Sequence, residues 1–137
     1  MSNVEISPGS VHVNVVSTYL PSHSLPEHDQ YTFAYTVTIS NDGAYPVQLI
    51  SRHWIITDAD EAVQEVRGDG VIGEQPVIAP GDEFRYTSGA TLETPVGFMQ
   101  GSYSMVVREP MDIEPADLPT FEVPIPAFSL HTPTALN

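Results

Sequence analysis

The sharpest pattern in the chain lies at residues 31–39, where Tyr31, Phe33, Tyr35, Val37 and Ile39 alternate with Thr32, Ala34, Thr36 and Thr38. A period of two in aromatic and β-branched residues predicts a strand with one packed and one lighter face. Val11, Val13 and Val15 alternate with His12 and Asn14 in the same way and predict a short half-buried strand upstream. Between the two, Pro21, Ser22, Ser24 and Pro26 make residues 20–29 a loop. Asn41-Asp42-Gly43 ends the main strand in a turn where glycine can take positive φ without steric cost. Residues 47–57 predict the next strand, but they are apolar on both parities, which leaves its facing open. Further strands are expected at 63–67, 75–78, 83–88, 98–108 and 120–125, with Asp58-Ala59-Asp60-Glu61 and Ala79-Pro80-Gly81-Asp82 as turns. No window shows a helical period, and 13 prolines are spread through the chain. Residues 109–119 hold Pro110, Pro115 and Pro119 and read as a hairpin loop too rich in proline for a regular strand.

Strands spaced by turns in this way predict an all-β antiparallel sandwich of seven or eight strands. Two details favour an immunoglobulin/fibronectin-type-III-like version. Trp54 falls on the third strand, where such sandwiches place a core tryptophan, and Gly101-x-Tyr103-x-Met105 has the spacing of a tyrosine corner. The expected core contains Phe33, Tyr35, Val37, Trp54, Tyr86 and Tyr103. A chain of 137 residues holds one such domain, assigned to residues 1–130, with a loose tail at 131–137.

Composition narrows the function classes. Cysteine is absent, which excludes disulfides, thiol catalysis and zinc sites built on thiolates. The first residues carry neither a basic region nor an apolar run, and no stretch approaches the roughly 20 apolar residues that span a bilayer. A cytoplasmic protein without membrane insertion is expected. Eighteen acidic residues stand against four arginines and no lysine, a formal net charge of −14. Nucleic-acid affinity rests on Lys and Arg displacing counterions from phosphates, so no nucleic-acid partner is expected.

Gly68-x-Gly70-x-x-Gly73 matches the dinucleotide fingerprint in letters. That fingerprint works because its loop opens a helix whose N-terminal amides hold the pyrophosphate. Here Glu74-Gln75-Pro76 follows with no helical period, which denies the helix. Two readings stay open: a nest of backbone amides that binds pyrophosphate with Arg67 as the nearest cation, or glycines that only let a connection turn tightly. Arg52-His53-Trp54 is the other polar cluster, read as a core tryptophan flanked by paired polar groups or as an interaction patch. On the parity of Trp54, Arg52 faces inward and requires a carboxylate or several carbonyls. The acidic turn at Asp58 lacks the glycine and the ligand spacing of a calcium loop, and His23 and His28 beside Glu27 and Asp29 have no fixed metal spacing. No metal residues are assigned, and no nucleophile elbow or acid–base pair is visible.

Larger motifs carry a family resemblance. Tyr31-x-Phe33-x-Tyr35-x-Val37-x-Ile39-x-Asn41-x-Gly43, Val47-Gln48-Leu49-x-Ser51-Arg52-His53-Trp54 and Asp58 resemble the first half of the ApaG family. The glycine-rich run from Gly68 to Tyr103 resembles its second half, and Ile125-Pro126-Ala127-Phe128-Ser129-Leu130 its closing segment. The likeness covers about residues 1–130, and residues 109–119 depart from it by being longer and richer in proline. It implies a fibronectin-type-III-like sandwich and an association with cobalt resistance and magnesium efflux in bacteria. Family members are named for sitting beside a diadenosine tetraphosphate hydrolase, and related domains occur in eukaryotic F-box proteins and a DNA-polymerase-interacting protein. No catalytic residue comes with it, and the glycine loop is regarded there as a candidate pyrophosphate site. The expectation is therefore a non-enzymatic protein-interaction domain without a required cofactor, Mg or Co being the candidate ions. The alternative is pyrophosphate or dinucleoside-polyphosphate binding at Gly68, Gly70, Gly73 and Arg67, with Mg offsetting the local negative charge. Arg52, His53 and Trp54 form the candidate interaction patch.

Overall fold

In a computed structural model, which describes residues 10–109 and 112–134, the chain is all-β. In chain order the strands are β1 (Val11–Tyr19), β2 (Tyr31–Asn41), β3 (Val47–Asp58), β4 (Val63–Asp69), β5 (Val77–Ile78), β6 (Glu83–Leu92), β7 (Val96–Val107) and β8 (Thr120–His131). Among the described residues, helical structure is limited to short 3₁₀ turns such as Pro21–His23, Pro26–His28 and Pro115–Asp117. Each opens on a proline, whose fixed φ suits a first helical position. A three-stranded sheet in the order β1-β2-β6 faces a five-stranded sheet in the order β4-β3-β7-β8, with β5 also paired to β3. Every pairing is antiparallel. This is the immunoglobulin/fibronectin-type-III-like sandwich expected from the sequence.

The alternation in β2 works as read: Phe33, Tyr35, Val37 and Ile39 are buried between the sheets. All six expected core residues are buried, with Trp54 at 2 % exposure. Its ring meets Tyr35 at 5.4 Å and Tyr103 at 6.3 Å, both edge-on, across the inter-sheet space. The ambiguous facing of β3 has a single cause. Its register with β7 shifts between Leu49 and Ser51, so Ile50 is a bulge residue. Val47 and Leu49 point inward before the bulge, and Trp54 and Ile56 point inward after it. An extra residue moves the buried set from odd to even positions.

Three local expectations are corrected. The hydroxyl of Tyr103 does not bond upstream backbone as a tyrosine corner would; it meets the Tyr86 hydroxyl of the opposite sheet at 2.5 Å. The turn after β2 is shaped by Asn41, whose side chain donates to Tyr45 and Ile78 carbonyls and accepts from the Gly43 amide. The left-handed glycines are Gly70, Gly73 and Gly81. The last strand runs on to His131 through Pro124 and Pro126. It pairs only with β7, so a missing amide can face its unpaired side. His131 and Thr132 therefore do not belong to a loose tail, since the Thr132 amide donates to the Pro95 carbonyl at 3.0 Å. Residues 135–137, the rest of the tail so assigned, lie outside the described residues, as do residues 1–9 and 110–111.

The two lateral sides of the sandwich differ. Along one, Ser17 of β1 donates to the Ser129 carbonyl of β8 at 2.8 Å and ties the sheets together. Along the other, β6 pairs only with β2 and β4 only with β3, so two strand edges face each other without a ladder between them.

Candidate functional site

The open side is a groove. Two adjoining hollows of about 320 and 370 Å³ share Tyr35, Arg52, Trp54 and Ser88 as lining. Tyr86, Ser88 and Ala90 of β6 form one wall. Gln64 and Val66 of β4 and the hairpin residues Val71, Ile72 and Gly73 form the other. The rim is apolar in places: Val66 is 38 % and Ile72 57 % exposed.

Arg52 is the cation of this groove, and Asp69 lines its hairpin end. The bulge at Ile50 turns it to the Trp54 side of β3, where its Nη1 donates to the Asp69 carbonyl at 3.0 Å and the Gly70 carbonyl at 2.8 Å. Carbonyl partners were one of the two options its inward parity required. Gly68 stands directly across in β4. A methyl group there would lie 2.7 Å from Nη2 and 2.8 Å from Cζ of Arg52, so the guanidinium occupies the space that glycine leaves. Arg67 and Arg85 each have a glutamate within ion-pair reach, at 3.4 and 3.8 Å. Arg52 has no carboxylate at that distance among the described residues.

Phenols surround it. Burial pushes the Tyr86 hydroxyl up to about 12, against the lowering effect of the Tyr103 hydrogen bond and the Arg52 charge. Burial raises Tyr103 further, with Tyr86 adding to it. Tyr35 is raised by burial too, offset in part by the Ser88 hydroxyl and then by Arg52. All three stay neutral at ordinary pH and can donate a hydrogen bond.

The glycine run is a hairpin tip. Val71 and Glu74 exchange amide–carbonyl bonds at 2.8 and 2.9 Å, and the two residues between them, Ile72 and Gly73, have φ of 44° and 78°. Two central residues at positive φ make a two-residue turn of the primed kind. Gly70, at φ 62°, donates to the Ile50 carbonyl freed by the bulge, at 2.8 Å. A side chain on Gly70 would meet the Glu74 carbonyl at 2.1 Å. Thus Gly70, Val71 and Glu74 have their amides committed inside the protein, and Gly68 lies in a paired strand. The structure brings the three glycines into one hairpin but turns Arg67 to the outer face, where it meets Glu65. Arg52 lines hollows with both Gly68 and Gly73, whereas Arg67 shares only the outer one, with Gly68.

Of the run Arg52, His53 and Trp54, the arginine reaches both sides: it lines the groove with Trp54 and an outer hollow with His53. Arg52 and Trp54 share the groove, Trp54 as its buried floor, whereas His53 points to the opposite face. There His53 meets Glu65 at 3.0 Å, and its hydrogen bond is the main cause of the lowered Glu65 carboxyl. Ser102, across from His53 in β7, donates to Glu122 at 3.2 Å, as does Ser104. Both serine hydroxyls are thus held by one exposed carboxylate on this face. The acidic turn is likewise internal: the Asp58 carboxylate accepts from the Asp60 and Ala62 amides at 2.8 and 3.0 Å.

Sequence reasoning missed Tyr35, Tyr86 and Ser88 as polar lining and Ile72 as an exposed rim residue. Ile72 had a signal, because a β-branched residue beside glycine is a poor choice for a primed turn. The tyrosines had none beyond their strand positions.

The fold and groove define an eight-stranded sandwich with one sealed and one open side, the open one centred on a half-buried arginine. The match to known proteins is specific. The model of the ApaG domain matches residues 21–107. Protein ApaG of Bordetella pertussis is 50 % identical over 139 residues, covering 100 % of both chains. Protein ApaG of Thiobacillus denitrificans is 51 % identical over 127 residues, 93 % of this chain and 94 % of its own. A crystal structure described as an ApaA protein from Bordetella pertussis superposes with a TM-score of 0.82 at 50 % identity, covering 91 % of this chain and 95 % of that one. The chain belongs to the ApaG family. Among the described residues no helix is long and apolar enough to cross a membrane.

Proposed function

We propose that this chain is a cytoplasmic, non-catalytic protein-interaction domain whose contact surface is the groove between the open edges of β4 and β6. The observation that carries the reading is the groove's build. Two strand edges without partners flank a half-buried Arg52 that has no carboxylate of its own, beside exposed apolar positions at Val66 and Ile72. Unpaired edges are templates for another chain, and arginine beside aromatic side chains is the usual composition of an interaction centre. A pyrophosphate-type ligand is not favoured at the glycine loop, where the amides of Gly70, Val71 and Glu74 are committed. The groove's donors are guanidinium N–H and phenol O–H groups, which suit anions, and its one lining carboxylate, Asp69, belongs to no metal-ligand cluster among the described residues. We therefore infer that any tie to cobalt resistance and magnesium efflux runs through a protein partner.

The test is capture from the native cell with the wild-type chain and with Val66→Trp, which fills the groove at an already exposed position. A partner lost with Val66→Trp, while the variant keeps its unfolding midpoint, supports the reading. The same partner at equal yield refutes it. Cobalt tolerance of a deletion strain, complemented with each form, checks the physiological link.

A further inference from the structure

We infer that the group recognised in this groove is a single carboxylate on an extended peptide segment, seated between the Arg52 guanidinium and the Tyr35 and Tyr86 hydroxyls. The inference rests on the groove reading above and adds the chemistry of the partner.

The proton arrangement among the phenols comes first. Tyr103 is fully buried, so its hydroxyl proton must be accepted inside the protein, and its hydrogen-bond partner is Tyr86. If Tyr103 donates and Tyr86 accepts, the Tyr86 proton is left over. Tyr86 lines the groove, so that proton is presented there beside Arg52. Burial keeps both phenols protonated, which makes Tyr86 a permanent donor.

Arg52 is held for the same task. Its Nη1 is fixed by the Asp69 and Gly70 carbonyls, while Nε and Nη2 have no acceptor among the described residues. A guanidinium anchored along one edge loses little further freedom when a carboxylate binds to the other, and the forked geometry suits such an anion. Phenol donors from the facing sheet complete the donor set, and the Asp69 carboxylate at the hairpin end of the same lining restricts the site to a single anionic group.

Charge selects the source of the carboxylate. With a net charge of −14, the chain repels a small polyanion over roughly 8 Å at physiological salt. A carboxylate carried by a peptide with neutral neighbours meets less of that repulsion. The peptide also has a track to lie on. β6 runs Glu83–Leu92 with one edge unpaired, and a segment added there presents alternate side chains to the groove and its apolar rim at Val66 and Ile72.

The experiment uses the full chain labelled with ¹⁵N and four probes. They are a blocked seven-residue peptide of alternating valine and threonine with one central glutamate, its glutamine twin, glutarate and inorganic phosphate. Expected are shifts at Gly68, Ser88 and Gly89 with the glutamate peptide, and at least tenfold weaker binding of the glutamine twin. Arg52→Gln should make the two peptides equal. If that variant fails to fold, Tyr86→Phe keeps the ring and should narrow the difference between the peptides. Equal binding of the two peptides by the wild-type chain, or no binding of either, overturns the carboxylate inference. Glutarate or phosphate shifting the same residues at affinity equal to the peptide's overturns the peptide source. In each of these failures the capture comparison with Val66→Trp still decides the groove reading separately.

Discussion

Raising the pH should dismantle the tyrosine cluster before it damages anything else in the core. Tyr86 has an ordinary phenol value of 10 when the chain is unfolded and about 12 when burial protects it. Below pH 10 both states hold the proton and the stability from this group is fully present. Above pH 10 the unfolded chain releases the proton while the native state keeps it, so stability falls as pH rises towards the folded value. Each unit of difference is worth about 1.4 kcal/mol, and with the native group itself half-titrated at pH 12 Tyr86 contributes a loss of about 2 kcal/mol by that pH. Tyr103, more strongly raised by burial, and Tyr35 act in the same direction. If Tyr103 holds its proton throughout, the pair loses about 5 kcal/mol by pH 12, a large share of the ~5–15 kcal/mol that stabilises a typical domain. Urea unfolding at intervals between pH 8 and 12, with tyrosinate absorbance followed in parallel, measures this. Expected is a midpoint that is flat to about pH 10 and then falls steeply, with phenolate appearing in step with unfolding. Tyr86→Phe and Tyr103→Phe should each flatten the fall. A midpoint that stays level to pH 12, or a slope unchanged in both variants, would show that these phenols do not form the dry pair described.

Other substitutions separate the roles of individual positions. Gly101→Ala would put a methyl 2.0 Å from the His53 carbonyl between paired strands, and should cost about 3 kcal/mol in a urea titration. Gly68→Ala meets only the end of the Arg52 side chain, which can swing aside by giving up its two carbonyl bonds, so stability in the same titration should fall by about 2 kcal/mol, less than for Gly101→Ala. It should still abolish the preference for glutamate over glutamine peptide by displacing the guanidinium. Ile72→Asn should stabilise the fold by about 1 kcal/mol, because asparagine tolerates the positive φ that a β-branched residue resists. The same change removes an exposed apolar side chain and should weaken partner capture.

The sequence was most readable where one face of a strand packs. In β2 a strict alternation fixes burial, and Phe33, Tyr35, Val37 and Ile39 could be assigned inward from the letters alone. β3 resisted because its bulge is invisible in composition: nothing in Leu49-Ile50-Ser51 says that one residue will be skipped. That single irregularity decides whether Arg52 or His53 enters the groove, so the site could not be settled before the register was. The glycines stayed open between two readings for a related reason. Three small residues near a cation resemble an anion loop, but the Gly70 amide is spent on the carbonyl that the bulge frees, and Gly68 makes room for a side chain from the neighbouring strand. Long-range pairing determines both facts, and local spacing carries none of it.

The open side and the acidity of the chain bear on each other. Free edges of ten residues in β6 and seven in β4 invite copies of the same chain to pair edge to edge. The opposite side avoids this by the bond from Ser17 to Ser129, and a comparable tie across the open side would bury Arg52 without a carboxylate. Net charge of −14 offers a different protection: two copies repel each other whatever edges they present. That protection is not selective between copies, but it becomes selective towards others. A segment with neutral or basic flanks approaches freely, and a carboxylate on it fits the remaining donors of Arg52 once it arrives. Ile72 fits the same logic. Its backbone strain adds nothing to the stability of the hairpin, whose anchor is the buried Val71, and its side chain stands at the rim where an incoming strand would pack. The uncovered edge, the half-satisfied guanidinium and the strained isoleucine thus fit one event, the proposed arrival of another chain on β6.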